Sequence, residues 1–95
     1  MRAAKIDANH EAVVTALRAA GATVQSLAGV GKGVPDLLVG YQGQTLLMEI
    51  KDGFKPPSKR SLNEDQLRWH GRWNGGALAV VDSPDGALRM IGVIK

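Results

Sequence analysis

Two short apolar runs, residues 36–41 and 44–51, flank Gln42-Gly43, and no other feature constrains the chain as much. Runs this short, rich in branched side chains and split by a turn signal, predict the two strands of a hairpin. Among their Leu, Val, Ile and Met they carry Asp36, Glu49 and Lys51. Charged side chains are seldom buried without a partner, so the hairpin raises a chemical question as well as a topological one. With Gln42 and Gly43 as the central turn residues, Tyr41 pairs with Gln44, and the same register sets Asp36 across from Glu49. Their Cβ atoms would lie about 5 Å apart on one face, with Lys51 further along that face. A slip of one residue would send the two carboxylates to opposite faces.

Neither run alternates cleanly between apolar and polar, which predicts an α/β layer structure with the sheet covered on both sides. The flanking sequence supplies the helices. Residues 9–20 form a helical pattern that Gly21 stops, with Asp7 or Asn9 as cap; Val13, Leu17 and Ala20 share a face, and His10 falls on that stripe. Residues 22–28 read as a strand, followed by the glycine-rich "GVGKGVP". After an extended loop held by Pro56-Pro57, Ser61 and Glu64 match a capping box that opens a helix through about residue 74. On it Leu62, Gln66, Trp69 and Trp73 share an inward stripe, the two tryptophans being expected in the core. His70 has no ligand partner at metal spacing and is assigned no role. A buried strand at 77–83 and a helix opened by Ser83-Pro84 complete the order α-β-β-β-α-β-α, a single domain over residues 1–95.

Composition narrows the chemistry. There is no cysteine, which excludes a disulfide framework and a thiolate metal site and fits a reducing cytoplasm. No apolar run approaches the roughly 20 residues of a membrane span, and "MRAAKIDANHEAVV" has no apolar signal core, so a cytoplasmic location is expected. The net charge of +3 is concentrated: Lys51, Lys55, Lys59, Arg60, Arg68 and Arg72 face only Asp52, Glu64 and Asp65 between residues 51 and 72. Such a stripe suits a polyanion such as nucleic acid, and it equally suits a solvated surface. "GVGKG" is not a nucleotide phosphate loop, because GxxxxGK[ST] would need glycine at Ser26 and a hydroxyl at Gly33. Lys32 in that loop, with Lys55, Lys59 and Arg60 beyond the hairpin, are candidate contacts to a DNA backbone.

Paired carboxylates repel unless a proton or a cation lies between them. Hard oxygen ligands on adjacent strands suit Mg²⁺ or Mn²⁺ better than zinc. An ammonium beside them can orient a nucleophilic water and offset charge developing on phosphorus. Taken singly, each charge is an ordinary strand-end or turn residue; together they are the equipment of metal-assisted phosphodiester hydrolysis.

The residues also resemble a known family. "PD" at 35–36 and "EIK" at 49–51 resemble the PD-(D/E)xK nuclease superfamily, and "GVPDLLVGYQGQTLLMEIKDG…LNEDQLRWHGRW" is most similar to the small stand-alone VRR-NUC (virus-type replication-repair nuclease) domains of phages and prophages. The resemblance covers essentially the whole chain and implies a restriction-endonuclease-like core, a mixed sheet flanked by helices. It implies that Asp36 and Glu49 hold the divalent metal with the backbone carbonyl of Ile50, that Lys51 is the catalytic lysine, and that Gln66 supports it or the attacking water. It further implies a DNA endonuclease acting on branched substrates such as junctions or flaps in repair and recombination. Cutting opposed strands calls for a homodimer. Relatives commonly carry an acid on the first helix, where this chain has His10; Glu11 points off the apolar face, and His10 or Asn9 would join the outer shell of the metal. The Val-Arg-Arg string behind the family's nickname is also absent. A non-catalytic DNA-binding or accessory protein that retains the nuclease fold is the alternative.

Overall fold

The computed structural model describes residues 8–59 and 61–95. Seven elements follow in the expected order: α1 (Ala8–Ala19), β1 (Thr23–Ser26), β2 (Leu37–Tyr41), β3 (Gln44–Ile50), α2 (Glu64–Arg72), β4 (Ala77–Val81) and α3 (Pro84–Met90). A 3₁₀ turn at Pro57–Lys59 interrupts the loop before α2. The four strands lie side by side in chain order, with β1, β2 and β3 antiparallel and β4 parallel to β3. The parallel step requires a crossover, and α2 lies within it.

The hairpin forms in the expected register. Gln42 and Gly43 both have positive φ, 48° and 80°, the conformation of a type I′ turn. Tyr41 pairs with Gln44 and Leu37 with Met48. One step further, Asp36 faces Glu49. Alternation then divides the sheet. Val24, Leu37, Val39, Leu46, Met48, Ile50 and Val81 are buried together with Val13 and Leu17 of α1 and with Ala87 and Ile91 at α3, forming the core. Helices α1 and α3 pack against each other and against the outer strands β1 and β4.

The opposite face is covered less than the sequence suggests. Leu47 and Glu49 are buried there, but Leu38 and Val80 are 38% and 48% exposed, and α2 buries no residue fully. The strand β4 is accordingly half-exposed rather than a buried strand. Trp73 also departs from the inward stripe. It is 39% exposed, stacks on Trp69 with ring centroids 5.1 Å apart, and donates from Nε1 to the Gly76 carbonyl. The cap of α2 differs too: Asn63, not Ser61, is the N-cap, and Gln66, not Glu64, closes the capping box. Ser83 caps α3 with Pro84 at its first turn, as expected. Asp7, one of the two caps considered for α1, lies outside the described residues.

Candidate active site

The buried end of the hairpin gathers the charges. The Asp36 carboxylate accepts a hydrogen bond from the backbone N–H of Ile50 at 2.8 Å, which fastens the start of β2 to the end of β3. Glu49, directly opposite, is only 3% exposed. Among the described residues no donor group reaches its Oε1, whereas Oε2 accepts from Gln66 Nε2 at 3.0 Å. Burial pushes the Glu49 carboxyl up to about 8, the Asp36 charge and a hydrogen bond to Asp36 push in the same direction, and the Lys51 ammonium pulls against them. The pair therefore keeps a proton near neutrality in the absence of a cation.

Gln66 organises the rest. Its Oε1 accepts from Lys51 Nζ at 2.8 Å and from the Asn63 backbone N–H at 3.0 Å, while its amide nitrogen donates to Glu49. The orientation of the amide follows from chemistry, since the flipped form would set its NH₂ group against two other donors. Lys51 Nζ lies 3.6 Å from Glu49 Oε2. One side chain thus caps α2, holds the lysine and anchors the buried acid.

Two further residues meet this site, Asn9 in a different role from the outer metal shell considered for it and His70 with no role assigned from the sequence. Asn9 of α1 donates from Nδ2 to the Lys51 carbonyl at 2.6 Å and to the Asp82 carbonyl at 3.1 Å. It ties the first helix to the ends of β3 and β4, across a sequence separation that no local pattern reveals. His70 is the second. Burial and then the Lys51 ammonium hold its pKa below the usual histidine value, and its Nε2 has no hydrogen-bond partner among the described residues. Its position one helical turn after Gln66 was the available signal.

His10 is buried in α1. Among the described residues no group of three or more His, Cys, Asp and Glu side chains is placed to hold a metal, so the acids come as a pair. Lys55 is exposed on the loop after β3, and Lys32 is exposed in the glycine-rich loop beside α2. Lys59 ends the 3₁₀ turn, and Arg60 lies outside the described residues.

The donor set suits a hard divalent cation. It offers two carboxylates, and among the described residues no donor reaches the buried Oε1 of Glu49. A cation there would take the place of the retained proton and satisfy Glu49 Oε1.

A mixed sheet flanked by helices, with an acid pair and a lysine at the ends of two neighbouring strands, defines a nuclease-type α/β fold of the PD-(D/E)xK superfamily. A search of solved structures finds a VRR_NUC domain that superposes with a TM-score of 0.62 at 30% sequence identity, covering 85% of this chain and 87% of that one. The chain belongs to the VRR-NUC domain family. No family model matches the sequence, and no curated protein does.

Proposed function

We propose that this protein is a Mg²⁺- or Mn²⁺-dependent endodeoxyribonuclease that hydrolyses phosphodiester bonds in branched DNA as a homodimer. The observation that carries the reading is the half-buried Asp36 beside the buried Glu49, with Lys51 wired to Glu49 through Gln66. Asp36, Glu49 and the Ile50 carbonyl would hold the ion. Bound there, the ion supplies Lewis acidity toward a phosphoryl oxygen and makes water a better nucleophile at neutral pH.

The chain's own groups do the remainder. Lys51 directs its ammonium at the phosphate and offsets the charge that develops on the non-bridging oxygens. Gln66 keeps that ammonium oriented, so little reorganisation is needed during the reaction. Asn9 fixes the main chain from which Lys51 projects. Lys32, Lys55, Lys59 and Arg60 contact the DNA backbone without reading sequence.

The test is cleavage of four-way-junction and flap DNA with Mn²⁺, comparing wild type with Asp36→Ala and Lys51→Ala. Loss of cleavage in both variants supports the assignment, and cleavage at the wild-type rate in both refutes it. One observation favours the second reading, a non-catalytic DNA-binding protein: the acids form a pair without a third acidic, His or Cys ligand among the described residues. DNA binding by a protein that takes up no divalent ion would support it.

A further inference from the structure

Away from the acid pair, three cationic side chains face a cleft of about 390 Å³ lined by Lys32, Asp65, Arg68 and Arg72. We infer that this cleft is a second DNA subsite, one that grips a backbone phosphate flanking the scissile one. The inference rests on the nuclease reading above and adds Arg68 and Arg72, which that reading leaves without a role.

Four features carry it. First, three cations converge on one concavity with a single carboxylate, and that carboxylate is already engaged, Asp65 Oδ1 accepting from Arg68 Nη2 at 2.6 Å. The cleft therefore keeps a net positive charge, and Arg68 keeps further guanidinium donors for a phosphate. Second, the arginines lie one turn apart on α2, on the flank next to Asp65, while Gln66 projects from the same helix toward Glu49 and Lys51. The cleft and the acid pair thus lie on different flanks of one helix, roughly 10 Å wide with its side chains. A strand whose scissile phosphate sits at the site can extend past that helix.

Third, the glycine-rich loop is shaped to bring Lys32 there. Gly31, Lys32 and Gly33 are consecutive residues with positive φ, 76°, 57° and 86°. Lys32 adopts this conformation despite its side chain, at a cost that an unconstrained surface lysine would avoid. Fourth, Gly33 touches the backbone of α2 directly. A Cβ there would overlap the Asp65 carbonyl and lie 2.9 Å from the Gln66 backbone nitrogen. One contact thus seats the loop, the cleft and the residue that organises the active site.

The experiment measures the affinity of a fluorescent four-way junction by anisotropy, in chelator so that nothing is cut, from low to high salt. The triple variant Lys32→Ala/Arg68→Ala/Arg72→Ala is compared with wild type and with Arg89→Ala, an arginine outside the cleft that donates to the Lys95 carbonyl. The expected result is an affinity loss of at least tenfold at low salt. The slope of log K against log salt should flatten by about 0.9 for each phosphate contact removed from duplex, or about 0.7 from a single strand. Mn²⁺ uptake should be unchanged, because the acid pair is untouched. Gly33→Ala keeps every charge, and in the folded protein it should reproduce part of the loss by displacing Lys32. A triple variant with the wild-type slope, or an Arg89→Ala protein that loses as much as the triple variant, overturns the inference while leaving the nuclease reading standing. A wild-type protein that cleaves no DNA with Mn²⁺ and does not bind the junction overturns both.

Discussion

The two faces of the sheet are built on different principles. On one, α1 and α3 bury Val13, Leu17, Ala87 and Ile91 against strand residues such as Leu37, Val39 and Met48. On the other, α2 buries no residue fully; the polar links of Gln66 tie it to the end of β3, and the close approach of Gly33 ties it to the loop between β1 and β2. Apolar burial supplies free energy without regard to direction. Hydrogen bonds contribute little net stability but fix geometry. The first face holds the fold together, and the second holds charged groups in place at some expense of stability.

That contrast can be broken by mutation. The largest effect on stability is expected from Leu17→Ala, which empties a fully buried position and should cost about 2–5 kcal/mol. Urea unfolding measures it, and the folded fraction of the variant should retain its Mn²⁺ site. The opposite pattern is expected for Glu49→Gln. Cleavage should fall by three orders of magnitude or more, on the order of 4 kcal/mol, yet the metal-free protein should be at least as stable as wild type at pH 8. Ionising a buried acid whose carboxyl is pushed up to about 8 costs folding free energy, and an amide does not carry that cost.

The pH dependence of the metal-free protein separates the faces further. Glu49 is raised from 4.5 to about 8, so the folded state holds a proton that the unfolded chain has already released. The stabilisation is complete below about 4.5 and is lost as pH rises toward about 8, so Tm measured in chelator should decline across that window. Glu49→Gln should remove this part of the decline. The smallest effect is expected from Asn9→Ala. It deletes two hydrogen bonds to main-chain carbonyls and should cost about 1–3 kcal/mol. Because one of those carbonyls belongs to Lys51, kcat should fall more than the affinity for DNA.

The legibility of the two faces in the sequence differed for the same physical reason. The hairpin register could be read because a two-residue turn with glycine fixes it locally, and Asp36, Glu49 and Lys51 then share a face by alternation. The core stripe of α1 could be read from its helical period. The cap of α2 was misplaced because Ser61 and Asn63 both precede an acceptor three residues on, and only the geometry at Gln66 chooses between them. Gln66 can close that box and hold Lys51 together because one carbonyl oxygen has two lone pairs. Asn9 was legible as a possible cap of α1 or an outer-shell neighbour of the metal, but not as the residue that holds the Lys51 and Asp82 carbonyls, which are brought to it by tertiary packing. The openness of the sheet under Leu38 and Val80 was hidden by composition, because a strand with apolar residues on both sides looks buried whether or not a helix covers it.

The central claim is that the acid pair holds a divalent cation in exchange for a proton. Calorimetric titration of Mn²⁺ into the protein at pH 7, repeated in buffers of different ionisation enthalpy, tests it most directly. The account predicts Mn²⁺ binding with release of about one proton, because the Glu49 carboxyl, raised to about 8, must ionise to bind the ion. Both the heat and the proton release should vanish in Asp36→Ala and Glu49→Gln. Mn²⁺ binding that persists unchanged in both variants, or no binding in the wild-type protein, would contradict it.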